Sequence, residues 1–389
     1  MVDQGQCSHP PEWFDWRWQL KNRVVAGNLQ AQFPGLDAEA LAQARSYDED
    51  FQFALTPYVA ALIERDVDGS PLPTDPIWLQ HRFYESDPVA SAADYDRETL
   101  NWEVEDELPT HFLHHKYPDK AALRIVDTCL TYCNYCYLAK RVLDRHSTTH
   151  SPRGSEAWSA TLQYLRQNQK ITDVLISGGE PLLMPTARLR KVFQDLRSIP
   201  SIRTLRLNTR AFSHLPFRVD DEVASLFKEF RLTALEVHVV HPREITADFD
   251  AALDRLDRSG NRPLVLWRAP LLRGINDTAE TLEHLLRKLY ERRIVPYRLF
   301  HYAPFSPARS LMATRVRAGV ELLLHLRRRI PGIAFPAYTL FHPTGKHDVP
   351  LELEGTPEFH YCSNNGAAPR VEFKNWRGDW VTYPDVATG

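Results

Sequence analysis

Three cysteines lie close together in the sequence, at Cys129, Cys133 and Cys136, and their thiolates could bind a metal. Soft thiolate sulfur favours iron–sulfur clusters, zinc or copper(I). A structural zinc site usually has a fourth Cys or His at short spacing, and none follows here. The spacing favours a four-iron cluster with one iron left open for a small molecule. Three buried structural cysteines, or a zinc loop completed by a distant histidine, are the alternatives.

A glycine pair ends the next predicted strand, in the segment Ser177-Gly178-Gly179-Glu180. Two glycines at the end of a strand allow backbone N–H and C=O groups to approach a ligand closely. A glycine pair also fits an ordinary turn without any function. The segment therefore indicates a ligand site only in combination with the cysteine loop.

The cysteine pattern, Cys-x3-Cys-x2-Cys with an aromatic residue before the last cysteine, resembles the signature of radical S-adenosylmethionine (radical SAM) enzymes. The resemblance implies that the open iron of a [4Fe–4S] cluster holds the amino and carboxylate groups of SAM. It also implies that an electron from the cluster splits SAM to a 5'-deoxyadenosyl radical. In that family, the segment that matches Ser177–Glu180 binds the methionyl amino group.

A closer resemblance extends along nearly the whole chain, to lysine 2,3-aminomutase and its relatives, which are radical SAM enzymes that also use pyridoxal phosphate (PLP). The segments that carry it are Trp16-Arg17-Trp18-Gln19, Lys116-Tyr117-Pro118-Asp119-Lys120, Leu175-Ile176-Ser177-Gly178-Gly179-Glu180, His241-Pro242-Arg243-Glu244-Ile245-Thr246, Leu271-Leu272-Arg273-Gly274-Ile275-Asn276-Asp277 and Gly345-Lys346. Together these segments imply an isomerase that moves the amino group of an amino acid from Cα to Cβ.

PLP requires a lysine that forms a Schiff base, and cations or donors for its phosphate. The resemblance implies that Lys346 is the Schiff-base lysine, and the flexible Gly345 beside it would let the amine move. Lys116 and Lys120 fall where the family places phosphate-binding arginines, and Arg268 falls near a polar phosphate contact. From residue chemistry alone, an exposed lysine in a Gly–Pro turn is the simpler interpretation of Lys346, and only the resemblance reverses it.

The same resemblance implies that several polar residues after the strands bind SAM. They are Asn208 and Arg210 after the third predicted strand, His241 after the fourth, and Arg273 and Asn276 after the fifth. Each of them could instead be a structural polar group whose hydrogen bonds are satisfied within the protein.

The substrate pocket departs from that of the lysine-specific enzymes. Leu138 stands where they carry an arginine for the substrate carboxylate, and the nearby Lys140 and Arg141 could substitute for it. Ala303 and Phe341 align with the two aspartates that hold the distant ammonium of lysine. A buried ammonium without a carboxylate is strongly unfavourable. We therefore expect a substrate other than lysine.

A shift of one or two residues in the alignment would bring His301, His342 or Asp348 into the pocket instead. The zinc-binding cysteines that the family carries near its C-terminus are also absent, since only Cys362 lies in the tail. We expect no structural zinc.

Strands that alternate with helices after residue 120 must position these residues. Apolar runs predict strands at 122–127, 173–177, 204–209, 235–240, 264–269 and 297–302. Amphipathic periodicity predicts helices at about 155–168, 186–197, 220–230, 248–258, 278–292 and 315–329. A seventh extended run, at 333–338, contains a proline and so predicts an edge strand.

Six successive β–α units predict an α/β fold, a partial (β/α)6 parallel barrel of the radical SAM type with right-handed crossovers. Reactive groups gather at the C-terminal ends of the strands in such barrels, where the cysteine loop leaves the first strand. We divide the chain into a helix-rich N-terminal region (1–120), the partial barrel (121–330) and a C-terminal segment (331–389) that carries the PLP lysine.

The composition is that of a globular protein of 389 residues with a formal net charge of -3, which predicts no attraction to nucleic acid or membrane. We find no apolar run of transmembrane length and no secretory signal. Five cysteines without a disulfide pattern favour the reducing cytoplasm. The expected partners are a small amino-acid substrate and an electron donor such as flavodoxin or ferredoxin, and the aromatic N-terminal stretch leaves a homo-oligomer open.

These features lead us to expect a radical SAM and PLP-dependent 2,3-aminomutase that acts on a free amino acid, with a [4Fe–4S] cluster, SAM and PLP as cofactors. Two alternatives remain open at this point. One is a different radical SAM reaction on an amino-acid or peptide substrate, and the other is a non-catalytic iron–sulfur or zinc structural protein.

Overall fold

Nine strands form one sheet in the order of the chain. The computed structural model describes residues 9–83, 102–146, 155–304, 306–362 and 368–386. The strands are β1 Leu113–Tyr117, β2 Lys120–Arg124, β3 Asp173–Ser177, β4 Thr204–Thr209, β5 Ala234–His238, β6 Leu264–Pro270, β7 Val295–Phe300, β8 Ala337–His342 and β9 Gly345–Asp348. Strands β2 to β8 run parallel, and β1 and β9 pair antiparallel at the two ends of the sheet.

The two edge strands approach each other, so that the sheet nearly closes into a barrel. The Nζ of Lys116 on β1 donates a hydrogen bond to the carbonyl of Pro343, which precedes β9. The backbone N–H of Lys346 on β9 donates to the hydroxyl of Tyr117 on β1, at 2.7 Å. Side chains rather than a strand ladder therefore join the two edges, as expected for a partial barrel.

Helices cover the outer face of this barrel. The helices of the described part of the chain are α1 Trp16–Lys21, α2 Leu29–Gln32, α3 Ala38–Asp50, α4 Pro57–Leu62, α5 Pro76–Leu79, α6 Ala139–Val142, α7 Ser155–Gln167, α8 Thr186–Arg197, α9 Ala211–His214, α10 Asp221–Glu229, α11 Ala247–Arg258, α12 Ala279–Glu291, α13 Arg309–Met312 and α14 Val316–Leu326. On β6, Val265, Trp267 and Ala269 are buried in the main apolar core. Because successive side chains of a strand face opposite sides of the sheet, Arg268 faces the barrel interior.

One smaller unit precedes the barrel in the sequence and another follows it. The N-terminal helices bury their own apolar core around Leu29 and Phe33, and Phe217 of the barrel joins that core. At the C-terminus, β10 Phe359–Cys362, β11 Arg370–Lys374 and β12 Trp380–Pro384 form a separate antiparallel sheet. None of the helices in the described ranges has the length and apolar character needed to cross a bilayer.

Most of these elements agree with the sequence predictions, and β3 and β4 begin and end as predicted. The edge-strand prediction at 333–338 is wrong, because β8 pairs with β7 on one side and with β9 on the other. Pro336 comes before β8, so its missing N–H does not interrupt the ladder. Strand β1 was not predicted and lies within the region that we expected to be helix-rich.

Candidate active site

A cavity of about 120 Å³ lies at the carboxyl ends of the parallel strands. Alternate side chains of each strand face the barrel interior, and those nearest the carboxyl ends line the cavity. They are Asn208 on β4, His238 on β5, Arg268 on β6, Phe300 on β7 and Phe341 on β8. The loop after β2 brings the three cysteines to the same cavity. This is the end of the barrel at which reactive groups are expected.

The three cysteines of this loop have free thiols that line the cavity. Burial raises the pKa of Cys129 well above its usual value, and the neighbouring thiols add to the shift. Burial, and then the charge of Cys133, raises the pKa of Cys136 to about 12. The Nη1 of Arg210 donates a hydrogen bond to Sγ of Cys133 at 2.6 Å. Thiolates that bind metal here must first release their protons.

No three His, Cys, Asp or Glu side chains within the described residues lie close enough together to hold one metal ion. The donor set at the cavity therefore consists of three separate thiols on one short loop.

The glycine pair packs directly against the backbone that leads to Cys129. The N–H of Gly179 donates to the carbonyl of Val126 at 2.5 Å. A Cβ on Gly178 would lie 2.2 Å from that carbonyl oxygen, and a Cβ on Gly179 would lie 2.2 Å from the carbonyl oxygen of Thr128. Gly178 also has φ of 131°, which disfavours side chains. Both positions require glycine in order to keep the cysteine loop in place.

Replacing Gly179 by alanine should displace the cysteine loop, because the new Cβ would clash with backbone atoms that cannot move independently. We expect the free energy of unfolding to fall by about 1–3 kcal/mol, and the iron bound per chain after anaerobic reconstitution to fall with it. Gly332→Ala is the matched control, since its Cβ would meet nothing within 4 Å. Equal stability and iron content in the two variants would contradict the prediction.

The amine of Lys346 lies at the inner face of the barrel beside the cavity. Lys346 pairs in register with Phe341 across the β8–β9 hairpin. The residue as a whole is partly exposed, but its amine points inward. The Nζ lies 5.2 Å from the ring centroid of Phe300 and 5.5 Å from that of Phe341. Burial, and then the charge of Arg268, lowers the pKa of Lys346 to about 7, while Glu236 opposes the shift. An amine with this pKa is about half neutral at pH 7, and the neutral form is the one that acts as a nucleophile.

Ion pairs on the inner face of the barrel surround the Lys346 amine. Glu236 on β5 pairs with Arg206 on β4 and with Arg268 on β6, whose Nη1 lies 2.8 Å from Oε2 of Glu236. The Nε of Arg268 also donates to Nε2 of His238 at 2.9 Å. The Nη2 of Arg268 is buried without a hydrogen-bond partner. An anionic group of a ligand would satisfy this nitrogen.

The lowered pKa of Lys346 can be tested by chemical labelling, because acetic anhydride acetylates only neutral amines. In apoprotein, the labelling rate at Lys346 should reach half of its plateau near pH 7, whereas an unperturbed lysine would do so near pH 10.4. Glu236→Gln should move this midpoint lower still, because the Glu236 carboxylate raises the pKa of Lys346. Peptide mass spectrometry measures the rate, and a midpoint near pH 10 would refute the expectation.

The two predicted phosphate-binding lysines of β1 and β2 do not line the cavity. Lys116 is buried, and its Nζ contacts the carboxylate of Glu107 and the carbonyl of Pro343. Lys120 lies at the end of β2 that is opposite to the cysteine loop. Its side chain is 41% exposed, and its Nζ lies 3.5 Å from the carboxylate of Asp119. A phosphate bound in the cavity would contact these lysines only if their side chains took new positions.

The residues predicted to bind SAM are brought together only in part. Asn208 and Arg210 line the cavity together with the segment 177–180, of which Gly178, Gly179 and Glu180 contribute to the lining. His241, Arg273 and Asn276 do not line it. Asn276 is buried, and its amide bonds only backbone groups. Arg273 is exposed. His241 is partly buried, and this burial lowers its pKa to about 4.

The positions that depart from the lysine-specific enzymes mostly lie at the cavity. Leu138, Ala303 and Phe341 line it, whereas Lys140 and Arg141 do not. Arg141 is buried, and its Nε donates to a buried glutamate at 2.9 Å. It is therefore already part of an internal ion pair.

Of the three residues that an alignment shift would bring into the pocket, His301 lines the cavity and the other two do not. Both ring nitrogens of His301 are engaged, by the hydroxyl of Tyr383 and the carbonyl of Thr314, each at 2.8 Å. His342 bonds its own loop, and Asp348 pairs with an arginine of β7.

Sequence reasoning missed Glu236, His238 and Phe300, which lie on the inner face of the barrel close to Lys346. The signal was present in β5, where Leu235 and Val237 alternate with polar residues. Polar residues on the inner face of a barrel strand indicate a ligand rather than a packed core, because unpaired buried polar groups are unfavourable.

Parallel strands with a three-thiol loop after the first of them, and a buried lysine amine beside the same cavity, form the arrangement expected of a radical SAM enzyme that also uses PLP. The chain is 31% identical over 379 residues to L-lysine 2,3-aminomutase of Methanococcus maripaludis, and this match covers 95% of the chain and 81% of that enzyme. It is 27% identical over 376 residues to glutamate 2,3-aminomutase of Clostridioides difficile, over 96% of the chain and 83% of that enzyme. The protein belongs to the lysine 2,3-aminomutase family.

Among solved structures, a radical SAM methyltransferase from Sphaerobacter thermophilus aligns with a TM-score of 0.40 at 18% sequence identity, over 59% of this chain and 68% of that one. No protein-family model matches the chain.

Membership of this family makes the protein a radical SAM isomerase whose cofactors are a [4Fe–4S] cluster, SAM and PLP. The residues at the cavity fit these groups. Three free thiols suit a cluster, and the buried amine of Lys346 suits PLP. The Nε of Arg210 and the Nη2 of Arg268 are buried without hydrogen-bond partners. Both arginines line the cavity, where anionic groups of a cofactor or substrate would satisfy them.

Proposed function

We propose that this enzyme moves the amino group of a free α-amino acid other than lysine from Cα to Cβ. The observation that carries the proposal is the position of the Lys346 amine. It lies within 5.5 Å of the rings of Phe300 and Phe341, and these two residues line the same cavity as the three thiols. The thiols that would hold the radical source and the amine that would hold PLP therefore lie at one cavity.

When bound, the cluster with SAM supplies a hydrogen-abstracting radical and PLP supplies an electron sink. Cys129, Cys133 and Cys136 would hold the cluster, and the backbone of the glycine pair would receive the amino group of SAM. Lys346 would hold PLP through its amine.

The cavity wall also contributes to the chemistry proposed here. Arg268 would direct its unpartnered Nη2 toward an anionic group, either the PLP phosphate or the substrate carboxylate. The apolar residues Leu138, Ala303 and Phe341 would exclude water, which protects a radical from side reactions.

Lysine is disfavoured because the cavity offers its ammonium no free carboxylate. Glu180 is the one carboxylate among the described residues that line the cavity. Its oxygens accept hydrogen bonds from the backbone N–H groups of Leu182 and Arg210 and from the hydroxyl of Thr209. Removing one partner of a buried ion pair typically costs about 3–5 kcal/mol. A lysine substrate would incur a penalty of this kind at its unpaired ammonium.

An anaerobic assay of the reconstituted enzyme with a panel of single amino acids tests the proposal. The reduced enzyme receives SAM and one amino acid, and chromatography with mass spectrometry measures 5'-deoxyadenosine and the β-amino acid. We expect one amino acid to give its β-isomer and lysine to give none. If β-lysine forms faster than any other β-amino acid, the proposal that the substrate is not lysine is overturned. Cleavage of SAM without any β-amino acid would overturn the migration itself.

A further inference from the structure

A cluster of aromatic rings lies beside the amine of Lys346. The ring centroids of Phe300 and Phe341 are 4.3 Å apart, and Tyr137 stacks on Phe341 at 5.1 Å with an interplanar angle of 12°. Trp102 packs edge-on against Phe341 at 5.0 Å. Ala303 belongs to the same buried cluster. We call these five residues the aromatic wall.

The aromatic wall is where the side chain of the substrate must begin. The substrate nitrogen would replace the Lys346 amine on the aldehyde carbon of PLP, so the substrate Cα would lie close to that amine. The amine Nζ is 5.2 Å and 5.5 Å from the ring centroids of Phe300 and Phe341. A side chain on this Cα therefore either packs on these rings or extends along them toward Tyr137, which also lines the cavity.

The histidine and the carboxylate that line the cavity near this wall are already satisfied. The ring nitrogens of His301 are both engaged, and the carboxylate of Glu180 accepts three hydrogen bonds. Arg210 contacts Cys133 on the cysteine loop. The wall itself thus offers apolar and aromatic surface, and the unpartnered nitrogens at the cavity belong to Arg268 and Arg210.

An anionic side chain is also disfavoured by the placement of the free arginine nitrogen. Arg268 lines the cavity, and its Nη2 lacks a partner. The α-carboxylate of any amino-acid substrate and the phosphate of PLP both need a cation, and Leu138 removes the arginine of the lysine-specific enzymes. These two anions compete for Arg268 before a side-chain carboxylate does.

We propose that the substrate is an α-amino acid with an apolar side chain. This side chain packs on Phe300, Phe341 and Tyr137 of the aromatic wall. This inference rests on the proposed function, since it takes the Lys346 amine as the group that the substrate nitrogen replaces on PLP. Burial of one apolar side chain on such a surface contributes roughly 1.5–3 kcal/mol.

Binding can be measured without turnover, from the change in PLP absorbance when an amino acid is added to the oxidised holoenzyme. Titrations with L-phenylalanine, L-leucine, L-lysine, L-glutamate and L-alanine give the Kd of each. We expect phenylalanine or leucine to bind at least about 100-fold more tightly than lysine and glutamate. Equal or tighter binding of lysine or glutamate would overturn the inference.

A variant of the wall provides a second readout. Phe341→Leu should weaken phenylalanine or leucine binding relative to alanine binding by about 5-fold or more, because alanine has no side chain that reaches the ring. The ratio of the two Kd values cancels any general loss of folded protein. Phe227→Leu is the matched control, since Phe227 is buried in the outer core, and its ratio should stay at the wild-type value. An unchanged ratio in Phe341→Leu would also overturn the inference.

The two proposals fail in different ways. If the apolar amino acid binds tightly but no β-amino product forms in the reduced enzyme, the proposed migration is overturned while the side-chain preference stands. If glutamate is both the tightest ligand and the amino acid that gives a β-isomer, the migration stands and the apolar substrate is overturned.

Discussion

Substitution of Lys346 by alanine is expected to abolish formation of the β-amino acid. The variant would keep the cavity but lose the one described amine that lies within 5.5 Å of the rings of Phe300 and Phe341. We expect kcat/KM to fall at least about 1,000-fold, which corresponds to about 4 kcal/mol of transition-state stabilisation. The absorbance of protein-bound PLP should shift to that of the free aldehyde. Anaerobic product analysis and an absorbance spectrum measure the two effects.

The control for this substitution is Lys374→Ala in the C-terminal sheet. Lys374 pairs with Glu358, and its side chain is 38% exposed. It should keep the wild-type spectrum and rate. Iron content should be the same in both variants, because neither position touches the cysteine loop. A Lys346→Ala variant that still forms the β-amino acid would remove the role assigned to this lysine.

We expect Lys346→Ala to lose activity without unfolding. The pH dependence of its stability tests this expectation. Burial lowers the pKa of Lys346 from its usual 10.5 to about 7, so the unfolded chain binds more protons between these pH values. The contribution of Lys346 to stability is therefore present above pH 10.5 and is lost as pH falls to 7. Lys346→Ala should lack this pH-dependent contribution to the free energy of unfolding. At pH 7 it should be at least as stable as the wild-type apoprotein, as measured by urea unfolding.

Much of the barrel could be predicted from the sequence because its signals are local. Apolar runs of strand length alternate with amphipathic helices, and each prediction depends on a window of a few residues. The cysteine loop is equally local, since Cys129 to Cys136 span less than ten residues. The wrong edge strand also has a local cause, because Pro336 was counted inside a strand that begins one residue later.

The interior of the barrel could not be predicted in the same way, because its partners are distant in sequence. Lys116 contacts the carbonyl of Pro343 across 227 residues, and Lys346 contacts Tyr117 across 229. The pKa of Lys346 depends on Arg268 and Glu236, which lie on other strands. Such pairs form only when the sheet curves far enough to bring β1 and β9 together. No short window of sequence contains that information.

The departures at Leu138, Ala303 and Phe341 were visible in the sequence, but their meaning depended on the surrounding structure. Sequence alone indicated which charges were lost. The structure adds what replaces them, since Phe341 contacts the rings of Phe300 and Tyr137. Under the proposed function, rings in place of carboxylates would exchange ion pairing for apolar packing and so select a different class of side chain.

Substitution of Cys136 by serine should abolish SAM cleavage. Serine keeps the size of the side chain but supplies a hard, protonated hydroxyl instead of a soft thiolate, which is the form of cysteine that binds iron. We expect the iron bound per chain to fall and the rate of 5'-deoxyadenosine formation to fall at least about 1,000-fold, which is about 4 kcal/mol of barrier. Iron analysis and chromatography of the nucleoside after dithionite reduction measure both.

The C-terminal sheet offers a matched control in Cys362→Ser. Cys362 is a free, partly exposed cysteine on β10 and does not line the cavity. This variant should keep the wild-type iron content and SAM cleavage. Cys136→Ser should still bind PLP, because Lys346 lies on a different part of the barrel, and this retention separates loss of the cluster from loss of the fold. If Cys136→Ser retains full iron and SAM cleavage, Cys136 is not a cluster ligand. The radical source must then be sought elsewhere in the chain.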